Sequence, residues 1–161
     1  MKIIAVGMNY ADHVKELDGS FVRPEEPVIF LKPDSALLKD GKPFFIPDFS
    51  QEVHYEAELV VRICRLGKNI AERFAHRYYD AVTVGIDFTA RDLQRKFRSV
   101  GDPWELSKGF DSSAAIGDFV SVDKFQNLQN LNFHLDIDGR TVQSGNTADM
   151  IFKIDEVIAY V

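Results

Sequence analysis

The chain predicts an α+β fold that is mainly β. Three observations carry this reading: apolar and β-branched runs of strand length outnumber helical stretches, an Asp138-Gly139 dipeptide separates two such runs, and no internal repeat, low-complexity segment or proline-rich linker breaks the pattern. With 161 residues and 45% hydrophobic content, the whole chain, 1–161, reads as a single domain. A chain of this length buries about two thirds of the surface it exposes when unfolded.

Lys2 to Val6 is short and apolar, the pattern of a buried strand. Gly7-Met8-Asn9 follows as a turn, Ala11 to Leu17 predicts a short helix, and Gly19 to Pro27 reads as a loop. Strand character returns at Val28 to Lys32 and at Phe44 to Ile46, separated by the turn chemistry of Lys32-Pro33-Asp34 and Asp40-Gly41-Lys42-Pro43. Val53 to Ile63 is a long strand. Ala71 to Tyr79 has helical character, and Ala81 to Phe88 predicts a buried strand with Asp87 where it gives way to a helix. Thr89-Ala90-Arg91-Asp92 matches a capping box that starts this helix and carries it to about Arg98. Asp138-Gly139, between Leu131 to Ile137 and Arg140 to Ser144, signals a hairpin with a type I′ turn, and Asp155 to Tyr160 starts a final helix.

A net charge of -6, with Arg91, Arg95, Lys96 and Arg98 as the only dense basic group, argues against nucleic acid as the main partner, because phosphate recognition relies on clustered cations. The apolar stretch Ile3 to Met8 is too short for a signal-peptide core, and no segment has membrane length. The single cysteine, Cys64, cannot form an internal disulfide and reads as a packing residue, so the cytoplasm is the expected compartment. Serine-elbow, phosphate-loop and dinucleotide fingerprints are missing from the sequence, which leaves serine hydrolase, NTPase and Rossmann readings without support.

The most informative run is Val53-His54-Tyr55-Glu56-Ala57-Glu58-Leu59. Residues two apart share a strand face, so the Glu56 and Glu58 Cβ atoms stand ~7 Å apart and repel by roughly 2 kcal/mol at an effective dielectric of ~20. A positive charge is expected between them. Carboxylate oxygens are hard ligands, which makes Mg²⁺ a natural occupant, with Asp87 as the third acidic residue. A solvated strand face for the glutamates, and a capping role for Asp87, are the plainer alternatives that spacing leaves open. His54 shares the same face and reads as a supporting residue. His13 and Glu16, three apart on one helical face, could form a dyad in which the carboxylate holds the imidazole in one tautomer, the arrangement of a general base; on spacing alone an ordinary charged surface helix is the favoured reading. Lys108, beside Trp104 and Gly109, reads as a site for an anion or as a solvated lysine.

These pieces occur together with Gly7-Met8-Asn9-Tyr10-Ala11-Asp12-His13, Pro27 to Ser35, Asp87-Phe88-Thr89-Ala90-Arg91-Asp92-Leu93-Gln94, Lys108-Gly109-Phe110-Asp111, Ser144-Gly145-Asn146-Thr147 and Met150-Ile151-Phe152. In that order and over nearly the whole chain, they resemble the fumarylacetoacetate hydrolase family, close to its short acylpyruvase branch. The resemblance implies a mixed β-sandwich roll with short helices, a homodimer once the fold is complete, and Glu56, Glu58 and Asp87 as ligands of Mg²⁺ or Mn²⁺. It implies His13 and Glu16 as a water-activating dyad on a lid segment, Lys108 as the active-site lysine, and Arg91 and Gln94 facing the substrate carboxylate. A Thr-Gly-Thr-Pro stretch followed by Gly-Val-Gly, which the resemblance places after Val161, is not in this sequence, so the expectation is a catalytic domain truncated at its C-terminus with apolar sheet edges uncovered.

The implied activity is hydrolysis of the C–C bond of an acylpyruvate, a β-diketo acid whose 2-keto oxygen and carboxylate chelate the metal. In that scheme His13 with Glu16 activates a water that attacks the distal carbonyl, pyruvate leaves as its metal-stabilised enolate, and Lys108 meets the developing negative charge. Decarboxylation of oxaloacetate, isomerisation of 2-hydroxyhepta-2,4-diene-1,7-dioate and an inactive truncated member are the alternatives.

Overall fold

The computed structural model describes residues 1–10 and 23–161. The helix expected over Ala11 to Leu17 lies outside them. Among the described residues, nine strands stand against three short α-helices and four 3-10 turns, so the chain is mainly strand, as expected. No helix of these residues is long and apolar enough to cross a membrane. The described chain divides into two compact units, residues 1–5, 29–60 and 84–118 in the first and residues 6–28, 61–83 and 119–161 in the second.

Strands β1 (Ile3–Gly7) and β2 (Val28–Lys32) pair in a two-stranded sheet. A larger sheet has the order β3 (Leu37–Leu38), β6 (Ala114–Ile116), β5 (Tyr79–Ala90) and β4 (Val53–Ile63), and β7 (Val120–Ser121) pairs with β5 off this path. In the first unit β3 runs parallel to β6, and β5 runs antiparallel to it with Gly85 opposite Ile116 and Asp87 opposite Ala114. Gly85 is required by close approach: a Cβ there would lie 2.8 Å from both the Ala115 carbonyl oxygen and Val60 Cγ2. The ladder runs past Asp87, because the Phe88 N–H donates to the Ser113 carbonyl. Asp87 therefore sits within β5 and not, as the sequence suggested, where the strand ends.

Helix α1 (Arg91–Val100) follows β5 directly. The capping box expected at Thr89 to Asp92 does not form: Ala90 is the cap, with no side-chain cap bond, and Thr89 is still a strand residue. The Asp92 carboxylate instead accepts from Ser50 Oγ, the Gln51 N–H and the Leu93 N–H. Gly101, at φ 79, ends the helix in the left-handed conformation, which has no Cβ penalty at glycine. Helix α2 (Glu105–Lys108) is a single turn closed by the Gly109 N–H on the Glu105 carbonyl, and a Cβ at Gly109 would come within 3.2 Å of Pro33 Cδ. Phe44 to Ile46 makes no strand. Pro43 and Pro47 flank it without N–H donors, and Phe44 stacks on Phe88 at 3.7 Å instead of entering a ladder. The apolar core of this unit contains Phe30, Ala36, Ala57, Ala90, Phe97 and Ala114.

In the second unit β5 pairs with β7 through Ala81 and Val82. Strands β8 (Asn132–Ile137) and β9 (Arg140–Asn146) form the expected hairpin, with Asp138 at φ 51 and Gly139 at φ 75 as a type I′ turn requires. Gly145 lies under Phe133, whose ring a Cβ would meet at 2.6 Å. Asn9 exchanges side-chain bonds with the Phe152 backbone in both directions and accepts the Ile151 N–H on its carbonyl, so the Gly7-Met8-Asn9 and Met150-Ile151-Phe152 motifs meet. The helical character of Ala71 to Tyr79 becomes a 3-10 turn, Glu72–Arg77, which packs against helix α3 (Ile154–Tyr160) around buried Ala75, Ile154 and Ile158. Cys64 is exposed, contrary to the packing role expected of it.

Candidate active site

Buried polar residues mark where this fold departs from an ordinary core. Among the described residues they are Lys32, Ser50, Asp87, Thr89, Arg91, Gln94, Ser107, Lys108, Ser113 and Thr147, and all but Thr147 belong to the first unit. Lysine, arginine and aspartate are almost never fully buried unless paired, so this concentration needs a reason.

The reason lies in two strands and the helices after them. Strand alternation puts Glu56 and Glu58 on one face of β4, and the same period of two puts Asp87 and Thr89 on one face of β5. Oxygens of Glu56, Glu58 and Asp87 come within 4.8 Å of one another. Into this cluster α2 delivers Lys108, which is only 3% exposed. Its Nζ donates to Glu56 Oε2 at 2.6 Å, Asp87 Oδ2 at 2.7 Å and Thr89 Oγ1 at 2.7 Å, so all three ammonium protons have acceptors. Lys108 thus brings a positive charge between Glu56 and Asp87, whereas the sequence led to the expectation of one between Glu56 and Glu58. Arg91 and Gln94, one turn apart on α1, bond to each other, and Arg91 also bonds Glu56 Oε1.

Lys32, at the end of β2, is a second buried lysine. Its Nζ lies 2.7 Å from Asp87 Oδ1, an ion pair outside hydrogen-bond alignment, and it donates to Ser113 Oγ at 3.1 Å, to the Ser113 carbonyl at 3.2 Å and to the Lys108 carbonyl. Asp87 is therefore held between two ammonium groups, one on each oxygen.

The electrostatics follow from this packing. Burial, with the charges of Asp87 and Glu56 added, pushes the Glu58 carboxyl up to about 8, only partly offset by Lys108 and Lys32. Burial by itself lowers Lys108, but Asp87, Glu56 and Glu58 outweigh it and hold the ammonium above the ordinary lysine value. For Lys32, burial wins over Asp87 and its value falls. A divalent cation fits this set. The donors are hard oxygens on adjacent strands, and a carboxyl pushed toward protonation by burial and by neighbouring like charges is one that a cation would return to its charged form.

His13 and Glu16 lie outside the described residues. His54 does not join the cluster; it is exposed and sits 3.0 Å from Glu52. Sequence reasoning missed Lys32, Thr89 and Ser113. Lys32 had a signal, because its spacing from Phe30 puts it on the buried face of β2, and Thr89 had one in its spacing from Asp87.

The family model described as fumarylacetoacetate (FAA) hydrolase C-terminal matches residues 2–161. The chain belongs to the fumarylacetoacetate hydrolase family. Among relatives in this family, the oxaloacetate tautomerase YcgM of Escherichia coli is 41% identical over 160 residues, covering 99% of this chain and 72% of that protein. The mitochondrial oxaloacetate decarboxylase of Dictyostelium discoideum is 40% identical over 161 residues, covering 99% of this chain and 73% of its own length. A crystal structure of fumarylpyruvate hydrolase from Pseudomonas aeruginosa, in complex with Mn²⁺ and pyruvate, superposes with a TM-score of 0.90 at 32% identity over 99% of this chain and 70% of that one. The fold is that of the fumarylacetoacetate hydrolase family, whose members include enzymes that act on oxo acids.

Proposed function

We propose that this chain is a divalent-metal-dependent enzyme of short 2-oxo acids, acting on the pyruvoyl end of an acylpyruvate or of oxaloacetate. The observation that carries the reading is the buried cluster of Glu56, Glu58 and Asp87 in direct contact with the Lys108 ammonium. Glu56, Glu58 and Asp87 would hold Mg²⁺ or Mn²⁺, which when bound supplies Lewis-acid polarisation of a chelated carbonyl.

The remaining work falls to the protein's own side chains. Lys108 Nζ keeps its proton, because the neighbouring carboxylates favour the charged form, and its positive charge would stabilise negative charge developing on a substrate oxygen. Arg91, buried beside Gln94, presents a guanidinium suited to a carboxylate, and Gln94 holds it by their mutual bond. Burial of these groups strengthens each contact by excluding water. Charge supports a substrate that binds as a dianion, such as oxaloacetate or the enolate of an acylpyruvate. Lys32, Lys108 and Arg91 match the three carboxylates, so the loaded cluster favours a ligand with two negative charges. His13 and Glu16 would add the activated water that hydrolysis needs and that enolisation or decarboxylation does not.

Hydrolysis of the acylpyruvate C–C bond is the first reading. Turnover of oxaloacetate is favoured as the second by the E. coli and Dictyostelium relatives, which bear oxaloacetate tautomerase and decarboxylase names. Small oxo acids as partners, a homodimer and a cytoplasmic location complete the proposal, with the net charge of -6 in its support against nucleic acid. The test follows enol absorbance of an acylpyruvate and of oxaloacetate with Mg²⁺ or Mn²⁺ present and then chelated. Chelator-sensitive loss of acylpyruvate that His13→Ala abolishes supports hydrolysis. Chelator-sensitive turnover of oxaloacetate that survives His13→Ala supports the second reading, and no metal-dependent turnover of either overturns both.

A further inference from the structure

A lysine buried to 4% exposure and paired with the Asp87 carboxylate needs a reason to be there. Lys32 Nζ has three protons and contacts Asp87 Oδ1, Ser113 Oγ, the Ser113 carbonyl and the Lys108 carbonyl. Ser113 Oγ in turn donates to the same Lys108 carbonyl at 2.8 Å. Lys32 thus ties together one oxygen of Asp87 and the backbone from which the Lys108 side chain starts.

We infer that Lys32 is a positioning residue of the cluster: it holds Asp87 through Oδ1, so that Oδ2 faces Glu56 and Lys108, and it anchors the Lys108 backbone so that this ammonium reaches its three acceptors. The inference deepens the metal-dependent reading above and rests on it for its consequence in metal affinity. Arginine is a poor substitute, because its planar fork engages both oxygens of a carboxylate where the lysine engages one.

Charge and position predict opposite signs, which makes the role testable. If Lys32 were only a nearby positive charge, its removal would tighten binding of a divalent cation. As a positioning residue its removal weakens binding, by about 10- to 100-fold as for residues that orient metal ligands. The experiment compares the purified wild-type chain with Lys32→Met, Lys32→Arg and Ser113→Ala. Mn²⁺ affinity is read from the free-ion electron paramagnetic resonance signal. Metal-free samples are labelled with acetic anhydride, and Lys108 acetylation is read by peptide mass spectrometry against exposed Lys124.

The expected result is Mn²⁺ affinity at least tenfold weaker and Lys108 acetylation at least several-fold faster in Lys32→Met, with Lys32→Arg failing to restore either and Ser113→Ala shifting both less, in the same direction. Tighter Mn²⁺ binding, or Lys108 labelling unchanged in the variants, overturns the inference. If Lys32→Met does not fold, Lys32→Arg and Ser113→Ala decide by the same two readouts. If the wild type binds no Mn²⁺, the metal-dependent reading fails, and the labelling arm alone decides the role of Lys32.

Discussion

Lys108 shows how one side chain can serve both stability and chemistry. Its ammonium shares with Lys32 and Arg91 the neutralisation of the buried Asp87 and Glu56 carboxylates, and in the proposed reaction the same position would set its charge against a substrate oxygen. Removing one partner of a buried ion pair leaves an uncompensated charge. Lys108→Met should therefore destabilise the chain by about 3 kcal/mol at neutral pH, measured by urea unfolding, and abolish turnover. Unchanged stability would mean that the carboxylates are solvated or protonated in solution. At this scale the sequence was partly legible. Glu56 and Glu58 share a face by period alone, whereas Thr89, read as a helix cap, accepts a lysine bond because the ladder continues past Asp87 and leaves it in the strand.

The junction of β4 and α1 is governed by a carboxylate that short-range pattern reading placed in the wrong motif. Asp92 accepts from Ser50 Oγ and the Gln51 and Leu93 N–H groups, and these bonds hold its carboxyl below the usual aspartate value. A carboxyl lowered on folding binds fewer protons in the native than in the unfolded state just below its ordinary value. Its contribution is present in full above about pH 4 and is lost as pH falls through the lowered native value. Asp92→Ala should cost about 1 kcal/mol at pH 7 and flatten the loss of stability below pH 4, as followed by thermal melts across pH. An unaltered acid limb would show that the bonds do not form in solution. Elements with strong local turn chemistry were legible in advance, the Asp138-Gly139 hairpin above all, since two left-handed residues leave few alternatives. Phe44 to Ile46 was not, because stacking on Phe88 decides its backbone and that partner is distant in sequence.

For the molecule as a whole, metal binding and stability are linked, because a cation that binds only the folded site stabilises by mass action. At 100 times its dissociation constant, Mn²⁺ or Mg²⁺ should add about 2.7 kcal/mol and raise the melting temperature. Glu58→Gln or Asp87→Asn should remove that shift while leaving a cooperative melt, and a metal-induced shift that survives both substitutions would move the site elsewhere.

The chain by itself determined what depends on neighbours a few residues apart: a mainly-strand class, the shared face of Glu56 and Glu58, the type I′ hairpin, and the ordered motifs that resemble the fumarylacetoacetate hydrolase family. Tertiary structure alone decided which cation meets those carboxylates. Lys108 is 52 residues from Glu56, and Lys32 is 76 residues from Lys108, so their meeting depends on sheet order and on where β2 and α2 end. Periodicity within a segment says which way a side chain faces. Only long-range packing says what it faces.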